Sequence, residues 1–148
     1  MLASRGTRFV AALLDGLIVG VGALPGVILL FATMDQQEEI AFLGVALMVL
    51  GGLSITIVNW VMITNHGQTI AKRLLGIRIV GYADGQIPGF VRGVILRNWV
   101  VALINQACGL FWFVDVLWIF GDESRCIHDL IADTTVVDVQ IEQVGAYD

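Results

Sequence analysis

The chain has 148 residues, 57% of them hydrophobic and only 14% charged, with a mean hydropathy of +0.85. A soluble domain of this size would carry about a quarter charged residues, so the apolar excess points to membrane spans. The net charge of −5 comes without a dense basic stripe interleaved with aromatics, which excludes a nucleic-acid partner. The two cysteines, Cys108 and Cys126, are too few for a disulfide framework and read as free thiols.

The first apolar run follows Arg5 and Arg8 and predicts a span over about 9–33. Its length, the aspartate inside it and the lack of a small-residue cleavage site argue for a retained span, not a signal peptide. Pro25 is expected to bend it, a break that neighbouring helices tolerate in a membrane. The polar connector 34–40 has no Lys or Arg. A second span is predicted over about 40–64, where Gly44, Gly51, Gly52 and Ser54 would allow close helix packing. Each run is about 25 residues, enough to cross a bilayer with some tilt.

Basic residues set the expected orientation. Arg5 and Arg8 flank the first span, and Lys72, Arg73, Arg78, Arg92 and Arg97 fall between 65 and 98. The positive-inside rule then places the N-terminus and this segment in the cytoplasm. Within the segment, "TIAKRLLGIRIVG" starts as a short amphipathic helix and ends in a strand. Asp84-Gly85 and Pro88-Gly89 mark turns. "FVRGVILRNWV" reads as an interfacial helix whose arginines reach lipid phosphates.

The third apolar run, about 98–120, carries Asn105, Gln106, Gly109 and Asp115. On length alone one full span is the simplest reading, and it would carry the tail across the membrane. A helical hairpin broken near Cys108-Gly109 would instead return the tail to the cytoplasm, on arms too short to span fully. "GIRIVG" and "TVVDVQI" can pair as strands only in the second case.

Two carboxylates sit inside apolar runs, at a cost of about 2.5–3.5 kcal/mol each on insertion scales, so each needs a reason. Asp15 lies roughly 9 Å into its helix, and Arg8, two turns earlier, shares its face. One reading is structural, with Arg8 at the interface and Asp15 hydrogen-bonded inside the bundle. The other is an ion or proton site. Asp115 would join Asp15 only in the hairpin, where two close carboxylates would share a proton or bind a cation. "ESRCIHDLIADTT" gathers Arg125, Cys126, His128, Asp129 and Asp133. Its spacing fits no zinc motif even with Cys108 and His66. Adjacent Cys and His are not a catalytic pair. The favoured reading is a cap in which Asp129 pairs with an arginine. "GQTIAKR" lacks the phosphate-loop pattern and follows no strand.

Taken together these motifs resemble the RDD family of small bacterial membrane proteins, named for one arginine and two aspartates. "TRFVAALLDGLIV" matches the arginine before, and the aspartate within, the first span. "GQTIAKRLLGIRIV" matches a glycine-threonine-lysine motif through Gly67, Thr69 and Lys72, and "RCIHDLIADTTVV" matches a closing histidine-aspartate motif. The resemblance covers about 5–140, leaving 141–148 as a polar tail. Two positions depart from the pattern: Ala71 and Asp133 stand where the family usually has glycine. The family's second aspartate corresponds to Asp115 or Asp129.

The expectation is an all-α membrane protein of about three transmembrane helices, the third a span or a broken hairpin. An amphipathic cytoplasmic helix and a short β-prone cap complete it. The resemblance implies a multi-pass protein of the bacterial inner membrane with its N-terminus in the cytoplasm. It also implies small ion or solute transport, linked to a cation or proton, through a homo-oligomer. The alternative is a non-catalytic accessory subunit of a larger membrane complex. Site candidates are Arg8, Asp15, Asp115 and Asp129, supported by Gly67, Thr69, Lys72, Arg97, Arg125 and His128. No catalytic residue, metal or cofactor is expected.

Overall fold

The computed structural model describes residues 1–33, 38–118 and 126–139. Helix α1 (Arg5–Ala32) opens at Ser4, whose hydroxyl accepts from the Thr7 N–H at 3.0 Å, and it continues through Pro25 to Ala32. Helix α2 (Glu38–His66) runs back alongside it. Among the described residues these are the two helices long and apolar enough to cross a membrane. Little of either is buried within the chain: Leu17, Val21, Ile28, Phe42 and Leu50 all stand exposed. Outward apolar faces of this length suit lipid, which needs no hydrophobic partner. Where the two helices meet, glycine does the work. A methyl on Gly26 would run into the Met48 backbone and one on Gly51 into the Gly22 carbonyl, so the backbones touch there.

A small cap closes one end of this pair. Helix α3 (Ile70–Leu74) leads into strand β1 (Ile77–Gly81), which pairs antiparallel with β2 (Thr134–Asp138), Ile77 opposite Asp138 and Gly81 opposite Thr134. The other edge of β2 receives the N-terminus, through a Leu2–Val137 bridge and the Ala3 N–H on the Val136 carbonyl. Strand alternation turns Ile77, Ile79 and Val136 to one side, where they pack with Ala3, Ala11, Ile63 and Val94. The hydrophobic core therefore lies in the cap, not between the long helices.

The third apolar run departs from the single-span expectation. A π-helix (Val91–Trp99) continues into α4 (Val100–Ala107). Cys108 then goes extended, and α5 (Phe111–Leu117) begins after it. The helix breaks at Cys108-Gly109, as in the hairpin reading, and the chain returns to α6 (Ile127–Ile131) and β2. The physical reason lies at both ends: β2 must reach β1, and Asp115 on α5 bonds His128 on α6. Of the two arginines of the π-helix, Arg92 bonds Asp84 at 2.7 Å and stays 34% exposed, whereas Arg97 departs from expectation: it turns inward and is buried. A buried carboxylate within reach of Arg97 offers a stronger partner than a hydrated phosphate does.

Candidate functional site

Two charged clusters occupy the junction between cap and long helices. The first is sealed. Arg8, on the first turns of α1, donates to Asp129 at 2.9 Å, and Arg97 ion-pairs with the other carboxylate oxygen. Thr134 donates to that oxygen at 3.2 Å and accepts from Arg97 at 3.2 Å. Side-chain exposure is 3% for Arg8 and 1% for Asp129. Burial by itself raises the Asp129 carboxyl, but the charges of Arg97 and Arg8, with Lys72 beyond them, outweigh it and hold it at about 2. The triad ties α1, the π-helix and α6 together.

The second cluster is open. Asp15 projects from α1 onto the start of α3. It accepts from the Thr69 hydroxyl at 2.6 Å and the Ala71 N–H at 3.2 Å, and lies 3.5 Å from Lys72 Nζ. The glycine-threonine-lysine motif acquires a reason at each position. Gly67 takes φ +66 to end α2, and a methyl there would strike the Ile79 carbonyl. Thr69 caps α3 by accepting from the Lys72 N–H. Lys72 supplies the charge, and burial, then the nearby Arg97 charge, pulls its ammonium below the usual lysine range. Asp15 and Lys72 side chains remain 18% and 11% exposed, because they face a cleft of about 380 Å³ between α1, α2 and the π-helix.

His128 stands between the clusters. Its Nε2 is 3.0 Å from Arg97, which can only donate, so Nε2 accepts and Nδ1 carries the proton it gives to Asp115 at 2.6 Å. Asp115 also accepts from the His128 backbone N–H at 2.8 Å. A second cavity of about 350 Å³, lined by Asp115, Asn105 and His128, adjoins the cleft along Arg97, Asn98 and Ala102.

The favoured cap reading, Asp129 paired with an arginine, holds, and the arginines are Arg8 and Arg97. Arg8 and Asp15 share a helix but not a partner: Arg8 goes to Asp129 and Asp15 to Lys72. Asp15 and Asp115 form no joint carboxylate pair, since each is held by its own base. Arg125 lies outside the described residues. Asn59 was missed, although a lone amide inside an apolar span was a visible signal. It accepts from the Ile70 N–H at 3.0 Å and lines the cleft. Thr134 was missed too, and nothing in a strand-forming "TTVV" marks it.

Cys126, His128 and Asp129 offer ligand atoms within 4.8 Å of one another. Their chemistry is poor for a metal. Burial pushes the Cys126 thiol up to about 12, and Asp129 is already committed to two guanidinium groups that repel a cation.

The model of the RDD family matches residues 2–133. The chain belongs to the RDD family. A Haemophilus influenzae relative described as an uncharacterized protein is 30% identical over 136 residues, covering 91% of this chain and 77% of that one. No solved structure matches. In this RDD protein the departure at Asp133 has a conformational meaning: its φ is +48, in the left-handed region where glycine is at ease. Ala71, the other departure, is wholly buried and gives its N–H to Asp15.

Proposed function

We propose that this RDD protein handles a small ion, linked to a cation or proton, in the bacterial inner membrane, with Asp15 as the exchangeable carboxylate. The observation that carries the reading is the Asp15–Lys72 pair, left open to a cleft while the neighbouring triad is sealed. An ionisable pair at the depth of the apolar helices has a functional role by default. Partial burial of Lys72 lowers the cost of passing its proton to an entering base. Two spanning helices enclose no through path, so the route would run along a homo-oligomer interface. The bases at the cap end support a cytoplasmic N-terminus. The break at Cys108-Gly109 supports a re-entrant third segment that leaves residues 126–139 on the cap side. Flux in proteoliposomes tests this: Asp15→Asn should abolish it, and undiminished flux in that variant would sink Asp15 as the coupling group.

A second reading makes the chain an accessory or assembly subunit of a larger membrane complex. The sealed triad favours it, since three elements locked by buried charge suit a scaffold. Co-purification of stoichiometric membrane partners, with no flux from the isolated protein, would choose this reading over transport.

A further inference from the structure

The cleft carries hydrogen-bonding capacity that the protein does not use. The Ile70 N–H fixes which end of the Asn59 amide is the oxygen, so its nitrogen faces the cleft with no partner among the described residues, on a side chain only 7% exposed. Asn98 also lines the cleft, and its amide has no bond among the described residues. Lys72 spends one contact on Asp15 and has further N–H groups to give. Asp15, in contrast, already accepts from three donors. The unmet groups are mostly donors, and Lys72 and Arg97 stand beside them, each already paired with a carboxylate, Asp15 and Asp129. A ligand that completes this site presents oxygen acceptors.

Thr56, Thr69 and His128 also line the cleft, and Val19, Ala102, Trp60 and Trp99 form its apolar walls. Beside it on α1, Gly16 and Gly20 stand exposed, and a methyl added at either would meet nothing within 4 Å, so the helix surface there is open. We propose that the cleft between α1, α2 and the π-helix binds the phosphate of a membrane phospholipid through Asn59, Lys72 and Asn98, with an acyl chain lying along Gly16 and Gly20. The proposal uses the same cleft as the ion-handling reading but does not rest on flux.

Phosphatidylglycerol brominated on its acyl chains, titrated into purified protein carrying Trp112→Phe and Trp118→Phe, would quench the fluorescence of Trp60 and Trp99. Saturable quenching is expected, weaker by about tenfold in affinity for Asn98→Leu, which removes one hydrogen bond to a charged group. Asn98 holds no side-chain bond among the described residues, so that variant removes no described contact of the fold; Lys72→Met should weaken binding by at least as much. Brominated diacylglycerol, the same chains without phosphate, should not saturate the site. Equal affinity for diacylglycerol, or unchanged affinity in Asn98→Leu, overturns the proposal. Inorganic phosphate that binds as tightly as the lipid assigns the site to a free oxyanion and overturns the lipid. Asp15→Asn separates the two readings: it should lose flux yet keep lipid affinity, because it frees Lys72.

Discussion

The sealed triad and the open pair each set a carboxylate against basic side chains at the junction of cap and long helices, yet they differ in what surrounds them. Asp129 has a guanidinium on each oxygen, a hydroxyl beside them and no exposure to speak of. Asp15 has one ammonium at 3.5 Å, two shorter hydrogen bonds and a cavity at its side. A buried charge that loses its partner is costly, whereas a pair at an open edge can exchange partners. The contrast separates a clasp from a site.

Breaking the clasp should have the largest effect. Asp129→Ala strands Arg8 and Arg97 and should cost about 3–5 kcal/mol, a large share of a typical domain's stability. Chemical denaturation in detergent measures it, and a variant as stable as wild type would mean the triad does not hold the cap. Asp15→Asn should cost less, about 1–3 kcal/mol, because the amide keeps an acceptor for Thr69 or Ala71. Equal losses for the two variants would erase the contrast. Thr69→Ala should cost about 1 kcal/mol through the lost cap of α3, and should impair any Asp15-dependent flux more than it impairs folding.

The two regions respond to pH in the same direction but in windows far apart. Asp129 titrates lower when folded, so its contribution is full above its ordinary carboxylate value and is lost as pH falls through about 2. Lys72 is also lowered, because burial disfavours its charged form, and here too the unfolded chain binds more protons. Stability therefore rises with pH between the lowered folded value and lysine's ordinary value of 10.5. Denaturation midpoints across this alkaline window should climb, and Lys72→Met should flatten them. The smallest expected change is a gain. Asp133→Gly relieves a left-handed residue at φ +48 and should add up to about 1 kcal/mol. A loss there would show that the Asp133 carboxylate is worth more to the cap than the strain it causes.

Much of this architecture was legible in the sequence because it depends on local pattern. Long apolar runs set α1 and α2, β-prone stretches set β1 and β2, and Gly67, Thr69 and Lys72 signalled a shaped turn. The choice between a third span and a hairpin was not legible. Length favours one continuous run, whereas the break at Cys108-Gly109 is stabilised by contacts made after it, Asp115 with His128 and β2 with β1. Partner choice was equally hidden. Arg8 lies two turns from Asp15 and 121 residues from Asp129, and it bonds the distant one.

What the sequence by itself determined is which residues are charged within oil and where the chain turns, since hydropathy and glycine act locally. Only the tertiary structure decided which charge meets which, because an ion pair depends on distance and burial. Both are set by how the cap closes over the ends of the two long helices.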